Sequence, residues 1–341
     1  MPKREKGTTV KQTWRILEPG VSGEEEGRRR FASDVLQGLF RVPKAIPSRY
    51  FYDEDGNRLF QKIMELPEYY LTDCELEILE TQKERIAGHI GDRAFNLIEL
   101  GAGDGTKTRV LLRHFCEQGM DFRFVPIDIC QPALLQLVER CGRELPGMTT
   151  EGLVSEYFDG LTWLSGLKDR RNVVLFLGSN IGNFSAPEAR VFLRSLWNSL
   201  NDDDLVLVGF DLKKDIEVLM RAYNDPRGVT ADFNLNLLRR INRELGGDFN
   251  LDRFEHYSTY DVLSGAMESY LVSRERQSVR IDALKTQFSF QAWEPIHTEV
   301  SNKYLPAGIS SMAGETGFEV VDEMRDLRRY FADSLWRVRK P

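Results

Sequence analysis

Residues 95–109 read F-N-L-I-E-L-G-A-G-D-G-T-K-T-R and put a carboxylate, three glycines and a lysine at the end of an apolar run. Gly101, Gly103 and Gly105 let the backbone take positive φ and come close to a ligand, which a Cβ would obstruct. A strand that runs into such a turn and then into a helix is where α/β enzymes hold nucleotide-like cofactors. Glu99 stands just before the glycines. A pyrophosphate gains nothing from that extra negative charge, whereas a sulfonium or an amino group does, and this favours S-adenosylmethionine over NAD. The dinucleotide spacing G-x-G-x-x-G is also not met, because the third glycine comes one position early. Asp128 closes a second apolar run, Phe122–Asp128, about 20 residues or slightly more beyond the glycines, where a carboxylate can bond both ribose hydroxyls. Both cofactors carry that ribose, so Asp128 supports a nucleoside pocket without choosing between them.

The elements that position these groups follow from periodicity. Apolar runs at Phe95–Leu100, Phe122–Asp128, Asn172–Gly178 and Leu205–Asp211 alternate with helical segments, the pattern of a doubly wound α/β fold with a parallel sheet covered on both faces. Ser185-Ala-Pro-Glu188 is a capping box with proline in the first turn, followed by an apolar face at Phe192, Leu193, Leu196, Trp197 and Leu200. Asn183 therefore falls on a strand-to-helix loop at the ligand edge of the sheet. After Asp211 the rhythm changes. Two amphipathic helices, Ile216–Tyr223 and Phe233–Leu245, precede alternating segments at 257–260, 266–272, 277–281 and 288–290, which predict antiparallel strands. Residues 318–322 and 335–338 read as strands again. The resulting map has a mobile N-terminal arm over 1–30, where Glu24–Glu26 and Arg28–Arg30 concentrate charge. A substrate-binding α+β lobe takes 31–73 plus 213–299, inserted into a cofactor-binding core of 74–212 plus 300–341.

Composition narrows the function classes. Acidic and basic residues are interspersed and the net charge is −7, so no field draws the chain to nucleic acid or to an anionic membrane. Cys74, Cys116, Cys130 and Cys141 have no C-x-x-C spacing and the four histidines have no metal-ligand spacing, which predicts neither a metal site nor a disulfide framework. Reduced thiols, the lack of a long apolar span and an N-terminus without a signal-like stretch predict a cytoplasmic protein. A monomer acting on a small molecule fits these features.

Several segments together resemble a known family: Ser48-Arg-Tyr-Phe-Tyr-Asp53, Leu66-Pro-Glu-Tyr-Tyr70, Glu99-Leu-Gly-Ala-Gly103, Phe176-Leu-Gly-Ser-Asn-Ile-Gly-Asn183, Arg221-Ala-Tyr223 and Thr298-Glu-Val-Ser301. In this order, from about residue 45 to the C-terminus, they look like the histidine Nα-methyltransferases of ergothioneine biosynthesis. The resemblance implies a class I methyltransferase (Rossmann-like) fold with a separate substrate lobe, S-adenosyl-L-methionine as methyl donor, and trimethylation of the α-amino group of L-histidine to hercynine. It implies that Gly101, Gly103 and Lys107 hold the cofactor, that Asp128 holds its ribose, and that Glu156 and Tyr157 lie near its adenine, where the family usually has Asp-Phe. It implies further that Tyr69, Asn183 and Tyr223 hold the substrate carboxylate, that Tyr52 stands beside the reacting amine as the catalytic residue, and that Glu299 and Ser301 grip the imidazole. Ser269 takes the place of a methionine beside the substrate ring, which leaves the ring's shape open.

Elementary chemistry bears on the same residues. Positions two apart on a strand share a face, so Glu299 and Ser301 can reach one planar ligand. Glu299 accepts from an imidazole N–H, and Ser301 either donates to or accepts from the other nitrogen. Tyrosine faces tolerate the growing cationic bulk of a quaternary ammonium. Taken alone, Glu299, Ser301 and Lys303 also read as the solvated face of an edge strand, and Tyr69 and Tyr70 as packing beside Pro67. Two other readings remain: N-methylation of another amino acid such as tryptophan, and a non-catalytic amino-acid-binding homologue.

Overall fold

A computed structural model of the chain describes residues 13–16 and 24–341. The first half holds β1 (Thr13–Ile16), α1 (Glu24–Phe40), β2 (Lys44–Ala45), α2 (Glu54–Met64), α3 (Tyr70–Ile90), β3 (Phe95–Leu100), α4 (Thr108–Glu117), β4 (Phe122–Asp128), α5 (Gln131–Glu144), β5 (Thr149–Val154), α6 (Tyr157–Leu164), β6 (Arg171–Phe176), α7 (Ala186–Ser199) and β7 (Leu205–Asp211). The second half holds α8 (Ile216–Tyr223), α9 (Val229–Leu245), β8 (Phe254–Asp261), β9 (Ala266–Ser273), β10 (Gln277–Ile281), β11 (Thr286–Phe290), β12 (Pro295–Asn302), α10 (Pro306–Thr316), β13 (Phe318–Arg325) and β14 (Phe331–Val338).

The central sheet runs in the order β1-β5-β4-β3-β6-β7-β14-β13. Its first six strands are parallel, and β14 and β13 close it antiparallel. Every residue of β3 and β7 is buried, as expected of strands covered on both faces. Alternation divides them: Phe95 and Leu97 pack with α3 and α4 on one face, Ile98 and Leu100 with α6 and α7 on the other. The capping box at the start of α7 is formed, with Glu188 accepting from the Ser185 N–H at 2.9 Å. The order reverses between β3 and β6, so their C-terminal ends open a crevice for a ligand.

A second sheet, in the order β2-β12-β9-β8, and the β10-β11 hairpin form the lobe. Its core joins Phe31, Val35 and Leu39 of α1 to Phe233, Leu237 and Ile241 of α9 and to Ile296 of β12. Burying such side chains contributes about 1.5–3 kcal/mol each, which holds α1 onto the lobe.

Three expected boundaries differ from the observed ones. Most of the 1–30 arm lies outside the described residues. Of the rest, residues 13–16 pair with β5, and 24–30 form the first turns of α1, where Arg30 ion-pairs with Glu156 at 3.0 Å. The 73/74 boundary falls inside α3, because Tyr70, Leu71 and Cys74 already pack on the central sheet. The 299/300 boundary cuts β12, which pairs with β9 along its whole length and so belongs to the lobe through Asn302.

Candidate functional site

The glycine turn after β3 is built as its spacing demands. Gly101, Gly103 and Gly105 have φ of +74°, +52° and +64°, where L side chains are strained. A Cβ on Gly101 would stand 2.8 Å from the Tyr157 hydroxyl, so the turn needs glycine for space as well. The carboxylate of Asp128, at the end of β4, accepts the Gly103 N–H and the Cys130 N–H at 2.8 Å each. Burial raises its pKa and the N–H groups oppose that. One bond per oxygen leaves lone pairs for a diol.

Glu99 is buried at the tip of β3. One of its oxygens accepts the Thr108 hydroxyl, while Oε2 has no hydrogen-bond partner among the described residues. Burial pushes the carboxyl up to about 8, against the Thr108 bond and the Lys107 charge. An orphaned, desolvated carboxylate oxygen on a cavity wall is a place for a cationic ligand. Together with the glycine cradle and the spare lone pairs of Asp128, it fits an adenosyl cofactor that carries a sulfonium and an amino group.

Lys107 is held by Glu75 of α3, a fully buried carboxylate that also accepts the Gly178 N–H at 2.8 and 2.9 Å. Sequence reasoning missed Glu75, since nothing local marks one glutamate of a charged helix as buried. Glu156 lies at the N-cap of α6, and the Tyr157 ring packs edge-on against Phe176 with centroids 5.4 Å apart.

At the other end of the cavity, Asn183 closes the helical turn 180–183 after β6. That turn is pinned by Asn302 of β12, whose amide donates to the carbonyls of Gly182 at 3.0 Å and Phe184 at 2.7 Å. The Tyr52 ring meets Phe60 and Phe233 edge-on at 5.7 Å, and Phe60 meets Tyr69 at 6.1 Å, making an aromatic wall. Burial lifts the Tyr52 and Tyr69 phenols well above their ordinary value, so both are neutral hydroxyls.

Glu299 on β12 is pushed up to about 7 by burial, opposed by the Lys303 charge and by the Ser269 hydroxyl, which donates to its Oε2 at 3.3 Å. Ser301 lies on the same face of β12. Its Oγ accepts from the Tyr223 hydroxyl at 2.8 Å and from the Lys303 ammonium at 2.7 Å. Lys303, which the sequence alone also allows as part of a solvated strand face, is 3% exposed and lies 2.9 Å from Asp211.

One cavity of about 590 Å³, a size suited to a cofactor and a small substrate, joins the two ends. Tyr52, Tyr69, Glu99, Gly101, Gly103, Lys107, Asp128, Glu156, Tyr157, Asn183 and Glu299 all line it. Tyr223 and Ser301 line a recess of about 40 Å³ that shares Tyr52, Tyr69, Asn183 and Glu299 with the main cavity. Every predicted site residue thus lines the cavity or the recess behind their shared wall.

Residues 31–338 match the family described as "Histidine-specific methyltransferase, SAM-dependent". The chain is 38% identical to a histidine N-alpha-methyltransferase of Mycobacterium tuberculosis over 92% of this chain and 96% of that protein. It is 39% identical to one of Mycolicibacterium smegmatis over 83% and 87%. An L-tryptophan methyltransferase of Psilocybe serbica is 28% identical over 83% of this chain and 86% of its own. The chain belongs to the S-adenosylmethionine-dependent, histidine-specific methyltransferase family.

Proposed function

We propose that the protein methylates the α-amino group of L-histidine, three times in succession, giving Nα,Nα,Nα-trimethylhistidine (hercynine) as in ergothioneine biosynthesis. The observation that carries the substrate is the pair Glu299 and Ser301, a half-buried carboxylate and a buried hydroxyl on one strand face, set where a flat polar ring can lie between them. Ser269 and Lys303 favour the ionised form of Glu299 against its burial, so the carboxylate can accept a ring N–H.

S-adenosylmethionine supplies an electrophilic methyl group. Asp128 holds the ribose hydroxyls, Glu99 the cationic end and Tyr157 the adenine, with Glu156 beside it. The amine nitrogen attacks that methyl carbon in line, the sulfur departs as a neutral thioether, and one proton is lost for each methyl gained. The protein's work is alignment and exclusion of water, which can supply a large part of a displacement barrier. Asn183 and Tyr69 hold the substrate carboxylate and the Tyr52 hydroxyl orients the amine, while Tyr223, expected beside that carboxylate, spends its one hydrogen on Ser301 Oγ. With its phenol raised well above the ordinary value, Tyr52 is no resident base, and the proton passes to water. The aromatic wall of Tyr52, Tyr69, Phe60 and Phe233 accommodates successive methyls and the final fixed charge. All of these side chains come from one chain, consistent with action as a monomer, and the four free cysteines suit the cytoplasm.

Mass spectrometry of reactions with S-adenosylmethionine and a panel of free amino acids tests the proposal. Histidine is expected to gain three methyl groups and to be consumed first. Preferential methylation of tryptophan, the substrate named in the more distant relative, would overturn it.

A further inference from the structure

The most heavily buried charges near the recess lie behind it, where they do not face the cavity. Lys303 and Asp211 have fully buried side chains 2.9 Å apart. Asp211 also accepts from the Tyr70 hydroxyl at 2.9 and 2.8 Å and pairs with Lys214. Taking such a cluster out of water is costly, and an apolar group of similar volume is often as good for stability. The arrangement becomes useful at its front end, where the Lys303 ammonium donates to Ser301 Oγ at 2.7 Å and to the Tyr223 hydroxyl at 2.8 Å.

An ammonium has hydrogens only, and a serine hydroxyl has one hydrogen and two lone pairs. Ser301 Oγ accepts from Lys303 and from Tyr223, which fills both lone pairs. Among the described residues no acceptor takes the hydrogen of Ser301, and the residue lines the recess. We infer that Lys303, anchored by Asp211, is a positioning residue that makes Ser301 a donor only, so that the recess demands a ring atom with a lone pair opposite the ring N–H that Glu299 accepts.

This rests on the histidine reading of the recess and deepens it. The two-way choice for Ser301, donor or acceptor, closes to one: the bound ring is a neutral imidazole with its N–H at Glu299 and its lone pair at Ser301. A ring with C–H in place of that nitrogen leaves the serine hydrogen buried without an acceptor. Sites built around such a bond discriminate strongly against analogues that lack it.

The test compares the dissociation constants of L-histidine and of a pyrrolylalanine that keeps the N–H but has C–H at the lone-pair position. Both are measured by calorimetry with S-adenosylhomocysteine bound. Wild type is expected to prefer histidine by at least about tenfold, the scale of one lost hydrogen bond in a buried site. In Lys303→Met and in Ser301→Ala the preference falls to about threefold or less. The double variant loses no more than either single one, because the lysine acts through the serine. S-adenosylhomocysteine affinity, measured alone, stays within about twofold, which separates loss of positioning from loss of fold. A full histidine preference in Lys303→Met with intact S-adenosylhomocysteine binding overturns the inference. If Lys303→Met does not accumulate, Lys303→Gln takes its place: its amide oxygen offers Ser301 the acceptor that the ammonium lacks, and an undiminished preference there overturns the inference equally. Wild type that binds neither amino acid contradicts the histidine reading itself, a result distinct from wild type that binds both equally, which contradicts only the donor assignment.

Discussion

The cofactor edge and the substrate lobe each set a carboxylate on the wall of the same cavity, and they provide for it differently. Glu99 has the Thr108 hydroxyl and the Lys107 charge beside it, but also the like charges of Glu75 and Asp128 and an oxygen with no partner among the described residues, and burial pushes it up to about 8. Glu299 has the Ser269 hydroxyl and the nearby charge of Lys303, and stands at about 7. A carboxylate set among like charges, with one oxygen unpartnered, suits a ligand that brings its own positive charge. One already supported by fixed groups can bind a neutral ring and leave that ring neutral. The contrast matches the division of labour proposed above, with a cationic methyl donor at one end and a neutral imidazole at the other.

The largest expected effect lies at the cofactor edge. Asp128→Ala removes the acceptor for the ribose hydroxyls and strands the Gly103 and Cys130 N–H groups. At about 1.5–3 kcal/mol for each bond to a charged group, S-adenosylhomocysteine affinity should fall by about 100-fold or more. Calorimetric titration should show histidine affinity far less affected. Parallel loss of both ligands would erase the distinction between the two ends.

Next comes the border between them. Asn183→Ala should weaken amino-acid binding about tenfold to 100-fold, the cost of one bond to a charged carboxylate, with far less change for S-adenosylhomocysteine. Equal weakening in the same titrations would mean that Asn183 only shapes the turn pinned by Asn302.

These two ends differed in how well the sequence exposed them. β3, β4 and β7 are predominantly apolar runs, and their bounds follow directly from the residues. β5, Thr149–Val154, begins with threonines and a glutamate and shows no such run, so periodicity passes over it. Only the last residues of β14 are legible, because Ala332, Asp333 and Ser334 interrupt its apolar pattern although all three are buried. In the site, local spacing reveals the glycine turn, Asp128, and the shared face of Glu299 and Ser301. Glu75, Asp211 and Lys303 have the residue types of solvated surface, and they are buried because partners from distant elements neutralise them. A single sequence does not show those pairings.

The smallest expected effect concerns pH and treats the two carboxylates alike. A carboxyl raised in the fold above its unfolded value of about 4.3 destabilises the fold once it ionises. Stability is therefore greatest below about pH 4.3 for this contribution and is lost as the pH rises through about 7 for Glu299 and about 8 for Glu99. Glu299→Gln and Glu99→Gln should each raise the unfolding midpoint of the ligand-free protein by a few degrees at about pH 9, and by less at about pH 5.5, in scanning calorimetry. A gain independent of pH would mean that neither group titrates as described.

The imidazole assignment is tested most directly by competition between histidine and tryptophan for methylation, measured by mass spectrometry in wild type and in Glu299→Ala. Loss of the polar contact should lower kcat/KM for histidine by about 1–3 kcal/mol. Tryptophan should lose little or gain, because a carboxylate no longer faces its apolar ring. The histidine preference of wild type should therefore collapse in the variant. An unchanged histidine-to-tryptophan ratio would contradict the reading of Glu299 as the group that recognises the ring.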